Sequence, residues 1–536
     1  MTALEGGGRY DVAVAGYGPV GATLAGLLGR HGLRVCVFDK AAGIYDQPRA
    51  VGFDHDAMRL FQRIGIAGAL APHVAPFRNS VYLGTDGQVI QRVRHIDPPY
   101  PLGWAPNYTC DQPGVEAVLR QAVARMDNVQ VALGHELVGA REHAGGVAFE
   151  LRDPAGEVHP HSAAYLVGCD GASSPVRRAL GIELESLDYD VPWIVVDLQV
   201  EAGFLDRLPA TNVQYCEPAR PCTYVVCPGN HRRWEFMMLE DEPREGALSE
   251  DRLWRLLSRW LQPGQARIWR AAAYTFHALI ARQWRRGPIF LAGDSAHQTP
   301  PFLGQGMCQG LRDAGNLAWK LNAVLRGEAG ERLLDSYAAE RRPHVVRTTH
   351  LAKEMGRLVS ERDPGRAKAR DAGLLARGGG GAPLVIRQDM IPGLRDGLVA
   401  TGSALAGEVF PQSLVVSDER GECLLDELTG ARFRLVMDAS CDAPELRALA
   451  ASLGTPVLVL GDDGIRERDG LVRNWLASAG VLGALVRPDH YVFGTFASAQ
   501  EAVRLMHRLQ SMKGNPDDLE PSQSRAAPDR RRAAGA

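Results

Sequence analysis

The sequence has no CxxC pair, although nine cysteines are scattered over its 536 residues. An odd number of separated cysteines argues against a disulfide framework, and none of them has His or further Cys at the spacing of zinc ligands. We expect even the closest pair, Cys222 and Cys227, to be buried small side chains. The sequence therefore predicts no metal site and a reducing compartment, the cytoplasm.

Two other features are missing: a long apolar run and an excess of one charge. No uncharged apolar stretch is long enough to span a bilayer, and the N-terminus lacks the apolar region of a signal peptide. The formal net charge is only −3, which gives no general affinity for nucleic acid or for an anionic membrane. We expect a soluble protein of two or three domains that acts on small molecules and binds neither nucleic acid nor a membrane.

The most informative stretch that is present has the pattern of a dinucleotide cradle. An apolar strand is followed by Gly-Tyr-Gly-Pro-Val-Gly at residues 16–21, a helix of small residues and a second strand. Gly16 makes the tight turn, Gly18 lets a pyrophosphate approach the backbone, and Gly21 lets the helix pack close to the strand. Asp39 ends the second strand, where a carboxylate can accept hydrogen bonds from ribose hydroxyls.

Three further positions stand at the edges of predicted elements. Arg49 lies in a loop before the next helix, where it is either a solvated charge or a cover for the phosphates. Gln112 lies at the mouth of a helix predicted at residues 111–126, with Asp111 as its N-cap. A strand ending in Asp170-Gly171 leads into another helix, which by itself indicates only a capped turn.

The middle of the chain changes to alternating, β-branched and aromatic runs at residues 193–274, with one amphipathic helix at 250–261. This pattern predicts an antiparallel sheet that covers a substrate pocket. A buried strand then ends at Asp294, where open α/β sheets bind ligands, and Gly304-Gln305-Gly306 opens a long helix whose N–H groups can meet an anion.

The last third of the chain is predicted to be a separate unit. Charged residues, Ala and a Gly run at residues 361–383 indicate a flexible linker, so the cradle should stand without the residues C-terminal to that linker. The βαβ order of those residues is typical of a thioredoxin-type fold. Without a CxxC pair, we expect it to have a structural role or to make a homodimer contact. Beyond Ser511 the composition predicts disorder.

Three separated motifs together resemble the group A flavoprotein aromatic hydroxylases. They are GxGxxG at residues 16–21, DGxxSxVR at 170–177 and GDxAHxxxPxxGQG at 293–306, and the match covers roughly the first 360 residues. The flanking PRAVGFD, RRWEFM and GLRDAGNLAWKL are most similar to the 3-(3-hydroxyphenyl)propionate (3-hydroxycinnamate) hydroxylases and their polyketide-modifying relatives.

The resemblance implies an α/β, Rossmann-like FAD-binding fold of the p-hydroxybenzoate hydroxylase type, with an inserted antiparallel substrate domain and a C-terminal thioredoxin-like domain. We therefore expect a FAD-binding part in three segments, 1–76, 101–185 and 285–361. The substrate domain should comprise a hairpin at 77–100 and the sheet at 186–284. The remaining parts are the linker 362–383, the thioredoxin-like domain 384–510 and the tail 511–536.

The resemblance also implies the cofactors: FAD bound by the chain, and NADH or NADPH as a co-substrate without a Rossmann domain of its own. Cys308 departs from the Asn often found in the family at that position. The residues expected to bind FAD are Gly16, Gly18, Pro19, Val20, Gly21, Asp39, Lys40, Arg49, Gln112, Asp170, Gly171, Gly293, Asp294, Pro301, Gly304, Gln305, Gly306 and Met307.

The expected reaction is ortho-hydroxylation of a phenolic acid with NAD(P)H and O2. A base or hydrogen-bond acceptor near the phenol would help, and His55, Tyr215 and Tyr224 are available by type. Arg220 or Arg233 is available to pair a substrate carboxylate. Two alternatives stay open: hydroxylation or Baeyer-Villiger oxidation of a larger aromatic compound, and a flavin-binding module without turnover.

Overall fold

The computed structural model describes residues 9–76, 79–461 and 464–514. Most of the tail predicted to be disordered lies outside this range, and residues 511–514 belong instead to the last helix, Ala499–Gly514. In the described part of the chain, no helix combines the length and the apolar character that crossing a membrane requires.

The first layer is a mainly parallel sheet built around the buried apolar strand Arg9–Ala15, as the cradle pattern predicts. The glycine-containing turn then leads into the helix Pro19–Arg30. The order across the sheet is Arg285–Arg286, Ile289–Leu291, Val158–Gly168, Arg9–Ala15, Val35–Asp39 and Val129–Leu133, and Gly146–Arg152 and Glu136–His143 extend it from Val158–Gly168. Its helices are Pro19–Arg30, His55–Ile64, Gln112–Val123, Pro175–Ala179, Gly306–Leu325 and Asp335–Val359.

The predicted sheet is present and has nine strands among the described residues. It is mainly antiparallel, but Asn212–Tyr215 pairs in parallel with Asn79–Leu83, and Leu384–Ile386 pairs in parallel with Val89–Arg94. Two of its strands are longer than the sequence pattern indicates, Leu184–Val200 and Ala266–Ala281, and the helix against the sheet, Glu250–Leu257, is shorter. The order is His297–Gln298, Ala266–Ala281, Leu184–Val200, His231–Met237, Cys222–Val226, Asn212–Tyr215, Asn79–Leu83, Val89–Arg94 and Leu384–Ile386.

The two faces of this sheet have different neighbours, because successive side chains of a strand point to opposite faces. We call the face packed on the helix Glu250–Leu257 the outer face; its core includes Trp234. The other, the inner face, carries Trp193, which packs with Phe302 from the loop before the long helix Gly306–Leu325. The inner face therefore closes over the loop of the third motif.

The segment predicted to be a flexible linker is ordered, which corrects that expectation. It contains the helix Pro364–Arg377, and Asp371 in this helix accepts hydrogen bonds from the Thr85 backbone N–H at 2.7 Å and from its hydroxyl at 2.9 Å. The sequence did carry a helix signal here: Asp363 caps the N-terminus, accepting from the Arg366 N–H, and Pro364 is the first helical residue.

The C-terminal part has a thioredoxin-like sheet in the order Val457–Leu460, Arg434–Asp438, Gly483–Val486 and Val492–Phe496. Helices Pro444–Ser452, Leu471–Ser478 and Ala499–Gly514 flank this sheet, and Gly421–Leu424, Leu414–Ser417 and Arg466–Glu467 form a smaller one. Leu384–Ile386 belongs to the nine-stranded sheet, where it pairs in parallel with Val89–Arg94, and the other domain boundaries stay predictions.

Buried ion pairs join the C-terminal part to the helices of the first layer. Arg59 donates to both carboxylate oxygens of Asp426 at 2.6 and 2.9 Å, and Arg487 donates to those of Glu340 at 3.0 and 2.7 Å. All four side chains are buried. This arrangement opposes the expectation that the cradle stands alone, because separation would leave buried charges without partners.

Candidate functional site

The first motif forms a turn in which two glycines are required by the protein's own backbone. Gly16 has a φ of +96°, and a Cβ there would lie 2.4 Å from the Cys169 carbonyl oxygen. A Cβ on Gly21 would lie 2.0 Å from the Gly16 carbonyl oxygen. At Gly18, in contrast, no atom lies within 4 Å of a built Cβ, and the helix begins at Pro19. The open side of the turn is therefore at Gly18, beside a helix N-terminus.

Asp39 lies beside this turn, at the carboxyl end of the strand Val35–Asp39. One carboxylate oxygen accepts from the Tyr17 N–H at 2.7 Å and the other from the Ala41 N–H at 2.8 Å. These bonds fix the carboxylate and leave it lone pairs for further donors. Lys40 follows it on the surface.

The third motif packs directly on the first. A Cβ on Gly293 would lie 3.1 Å from a methyl group of Val20, and one on Gly310 would lie 2.5 Å from it. Buried Asp313, which sequence reasoning missed, accepts from the Gly293 N–H at 3.0 Å and from His297 at 2.8 Å. Burial opposes ionisation of Asp313, but His297 and Arg341 hold its pKa below the ordinary value. These contacts fix the strand end on which Asp294 stands.

Asp294 and Arg49 are close enough for their charges to interact. Surrounding protein raises the pKa of Asp294, and the charges of His297 and Arg49 oppose that rise. The Asp294 side chain nevertheless faces solvent. The side-chain oxygen of Gln112 accepts from the backbone N–H groups of Arg49 at 3.2 Å and Ala50 at 2.6 Å, so Gln112 holds the Arg49 segment in place.

The second motif is the capped turn that its sequence indicates, and it is tied to the third. Asp170 accepts from the Val176 N–H at 2.9 Å, and Gly171 has a φ of +80°. Burial raises the pKa of Asp170. Arg177 donates to the Ser295 carbonyl at 2.9 Å and to the Ala172 carbonyl at 2.7 Å.

The loop from Pro301 to Gly304 ends in a left-handed turn, with Gly304 at φ +58°, and opens the long helix at Gly306. No atom lies within 4 Å of a Cβ built on Gly306, and Met307 packs on the core. The Gln305 side chain turns away and donates to Asp54 at 3.0 Å, so only its backbone faces the site.

Cys308 and Arg387 support the same loop from behind. The Cys308 thiol donates to the Gly304 carbonyl, with 3.5 Å between sulfur and oxygen, so it makes a backbone contact where the family often has Asn. Arg387, which sequence reasoning assigned to the last domain, donates to the Leu303 carbonyl.

The tyrosines proposed as bases do not reach the inner face. Tyr215 and Tyr224 belong to the outer-face core; the Tyr215 hydroxyl accepts from Trp260 at 3.1 Å, and Tyr224 donates to the Pro209 carbonyl at 3.1 Å. His55 begins the helix His55–Ile64, and its nearest charges are those of Asp54, Asp56 and Arg312. Burial lowers its pKa. The structure gives none of the three a place beside Trp193.

The two arginines proposed to bind a substrate carboxylate already have carboxylate partners. Arg220 forms a two-pronged pair with Glu242. Arg233 donates to both oxygens of Asp197 at 2.8 and 2.9 Å, and to the carbonyls of Arg49 at 2.8 Å and Pro48 at 3.1 Å. Arg233 instead joins the sheet to Pro48 and Arg49, which we call the Arg49 segment. Its carboxylate partner, Asp197, is 36 positions away in sequence, so the sequence pattern does not reveal the pair.

An aromatic cluster on the inner face was also missed. Trp193 stacks on Phe276 at 5.7 Å between ring centroids and meets Phe302 edge-on at 5.5 Å. The alternation of the strands predicts one buried face, but only the pairing of distant strands shows which aromatic residues meet.

The geometry fits an extended dinucleotide cofactor. Gly18 leaves room for a pyrophosphate at one helix N-terminus, Asp39 stands where a ribose would lie, and the N-terminus at Gly306 lies beside a second strand end. The fold and the site define a flavoprotein of the FAD-binding α/β class.

Comparison with known proteins identifies the family. Residues 9–352 match the FAD binding domain family, and residues 407–512 match the HcaD C-terminal domain. The chain belongs to the FAD binding domain family, and it is a FAD-dependent monooxygenase of the aromatic hydroxylase class.

Two curated relatives are similar over most of their length. A probable NADH-specific resorcinol 4-hydroxylase of Rhodococcus jostii (strain RHA1) is 37% identical, covering 94% of this chain and 96% of the relative. A 3-(3-hydroxy-phenyl)propionate/3-hydroxycinnamic acid hydroxylase of Mycobacterium sp. (strain JLS) is 34% identical, covering 90% and 89%.

Solved structures share the fold. The flavin-dependent monooxygenase PieE, determined with FAD and substrate, is 22% identical with a TM-score of 0.78, covering 95% of this chain and 100% of that one. Aklavinone-11 hydroxylase, determined with FAD and aklavinone, is 24% identical with a TM-score of 0.77 and the same coverage.

Proposed function

We propose that the protein uses NADH and O2 to hydroxylate a single-ring phenol ortho to its hydroxyl group, in aromatic catabolism. The observation that carries this proposal is the closure of the inner face over the loop Pro301 to Gly304, which we call the flavin loop. Trp193 and Phe276 pack there on Phe302. Such an enclosed aromatic surface suits a flat ring and keeps water away. The near full-length relatives, whose names specify resorcinol and 3-hydroxyphenyl acids, support it.

The residues of the three motifs would hold FAD with its phosphates at Gly18 and its ring beside the Pro301 to Gly306 loop. When bound, FAD accepts reducing equivalents from NADH and activates O2 for transfer to the ring. The chain would supply position and exclusion of water: Asp294, Arg49 and Gln112 would border the cofactor, and the inner face would cover the reacting ring.

Two substrate classes are candidates. A 3-hydroxyphenyl carboxylic acid is the class that the sequence motifs predict. Resorcinol is the second candidate, favoured by the 37% identity with the Rhodococcus relative and by the carboxylate partners that Arg220 and Arg233 already have. The polyketide-type alternative has support only from fold similarity to structures less than 25% identical.

The test is NADH consumption by the FAD-loaded protein in the presence of 3-(3-hydroxyphenyl)propionate, resorcinol or 3-phenylpropionate. One of the two phenols should raise the rate at least about tenfold, equivalent to roughly 1.4 kcal/mol of barrier, and one oxygen atom from ¹⁸O2 should appear in the product. The ring without a hydroxyl should at most release H2O2. If neither phenol stimulates the reaction, the proposal is wrong. A separate assay with a cyclic aromatic ketone tests the Baeyer-Villiger alternative, which a lactone labelled from ¹⁸O2 would establish.

A further inference from the structure

Three successive rows of cross-strand partners lie on the inner face. The first and the third row contact the flavin-binding part. In the first row, Trp193 pairs across the strands with Met237, and Trp193 meets Phe302 of the flavin loop. In the third row, Asp197 pairs with Arg233, which donates to the carbonyls of Pro48 and Arg49. The middle row therefore lies between the contact with the loop Pro301 to Gly304 and the contact with the residues around Arg49.

The middle row consists of Val195, Glu235, Thr223 and Gln214, which pair in this order across four neighbouring strands. Three of these four side chains are polar. Thr223 and Gln214 satisfy each other, because the threonine hydroxyl donates to the amide oxygen at 2.6 Å. Glu235 is the acid of this row, and its side chain is 9% exposed.

Glu235 has no hydrogen-bond donor among the residues that the structure describes. The nearest cation is the Arg233 guanidinium at 3.8 Å from a Glu235 oxygen, and that guanidinium is committed to Asp197 and to two carbonyls. A largely buried carboxylate without a protein donor is unfavourable in a folded protein unless water or a ligand supplies one. Burial raises the pKa of Glu235, an effect that Arg233 opposes and Asp197 reinforces.

We propose that Glu235 accepts a hydrogen bond from a ring hydroxyl of the phenol substrate. This inference rests on the proposed function and names the contact that distinguishes a phenol from a bare aromatic ring. A hydroxyl placed there holds the ring between Phe302 and the Arg49 segment, against the inner face. Hydrogen bonding to a carboxylate also raises the electron density of the ring, which favours attack by an electrophilic oxygen. Glu235 takes the role for which the sequence offered His55, Tyr215 and Tyr224.

Ligand binding to the FAD-loaded protein tests this contact without requiring turnover. Dissociation constants are measured from the change in bound-flavin absorbance for two matched pairs: 3-(3-hydroxyphenyl)propionate with 3-phenylpropionate, and resorcinol with 1,3-difluorobenzene. For at least one pair, the hydroxylated ligand should bind the wild type about tenfold or more tightly, as expected for a hydrogen bond to a charged group. In Glu235→Leu this preference should fall to near one, with FAD content unchanged.

Two variants complete the design. Glu235→Gln keeps an acceptor oxygen without the charge, so its hydroxyl preference should lie between those of the wild type and Glu235→Leu. Glu217→Gln makes the same chemical change at a surface acid that pairs with Arg259 near the same sheet, and it should leave the preference as in the wild type.

The outcomes separate this inference from the proposed function. Wild-type preference in Glu235→Leu, or loss of FAD in both Glu235 variants, would overturn the role of Glu235 even if the phenol is hydroxylated. A Glu235-dependent preference for the hydroxylated ligand, in a protein that hydroxylates neither phenol, would support the contact while rejecting the proposed reaction.

Discussion

At the scale of the residue, the cradle glycines fall into two kinds. Gly16 and Gly21 are required because a side chain would strike the protein's own backbone, whereas a Cβ at Gly18 has no atom within 4 Å. Gly18 also has a φ of −71°, which any residue adopts. Among these three glycines, only Gly18 can therefore be substituted to disturb cofactor binding without disturbing the fold.

We predict that Gly18→Val yields a folded protein that retains little FAD, because the branched side chain fills the space of the pyrophosphate. Gly21→Ala is the matched control; its methyl group would lie 2.0 Å from a backbone oxygen, so the fold itself should be lost. Far-ultraviolet circular dichroism, thermal unfolding and the flavin-to-protein absorbance ratio are the measurements. A fully loaded Gly18→Val protein would contradict the assignment of the first motif.

At the scale of the element, a distant segment supports the flavin loop. The strand Leu384–Ile386 pairs with Val89–Arg94, and this pairing brings Arg387 against the loop, where it donates to the Leu303 carbonyl. Burial lowers the pKa of Arg387, while neighbouring groups such as Cys308 and Asp54 oppose that shift.

We predict that Arg387→Met leaves FAD bound but raises the share of NADH that ends as H2O2. Methionine keeps the apolar packing but loses a charged hydrogen bond of roughly 1.5–3 kcal/mol, so the loop excludes water less well. Hydroxylated product and peroxide are measured per NADH consumed. Arg362→Met is the control, since Arg362 donates to the carbonyls of Pro218 and Ala219 on the surface. Equal coupling in the two variants would remove this role of Arg387.

At the scale of the whole molecule, buried charges make the C-terminal part integral to the flavin-binding part. Glu340 accepts from Lys320 at 2.7 Å as well as from Arg487, and Arg59 is paired with Asp426. The two parts share an apolar core that includes Trp319 and Phe433.

We predict that truncation after Gly379 gives an insoluble or FAD-free fragment, contrary to the expectation from motif positions alone. The cut removes Arg487 and Asp426, and breaking one such buried pair costs about 3–5 kcal/mol. Expression of the fragment beside the full chain, followed by gel filtration and flavin absorbance, tests this. A monodisperse yellow fragment would show that the C-terminal part is dispensable.

We also predict that the free energy of unfolding decreases as the pH falls from about 4.5 to about 2. Burial by itself would raise the pKa of Glu340, but Arg487 and Lys320 outweigh it and lower that pKa from 4.5 to about 2. The unfolded chain therefore takes up the proton at a higher pH than the folded protein does. Asp54, against Arg312, is lowered from 3.8 to about 2 in the same way. Urea unfolding from about pH 6 to about pH 3 should give a shallower slope for Glu340→Gln than for the wild type. An equal slope would exclude Glu340 as a source of the acid sensitivity.

The sequence by itself determined the cradle and the three flavin motifs. Their main requirements are local: the turn gives Gly16 a φ of +96°, Gly21 packs on the Gly16 carbonyl oxygen, and Asp39 ends the next strand. The helix Pro364–Arg377 was also readable from its Asp363 cap, and the run of charges hid it. Spacing along the chain is sufficient for features of this kind, because the atoms that meet are close in sequence.

Only the tertiary structure decided which face of the antiparallel sheet each side chain occupies and which charges are already paired. A shift of one residue in strand pairing exchanges the faces, so composition could not separate Tyr215 on the outer face from Glu235 on the inner one. Arg233 was a candidate for substrate binding until its pairing with Asp197 was visible. Burial leaves a charged group available to a ligand only when no internal partner satisfies it, and distant strands supply those partners.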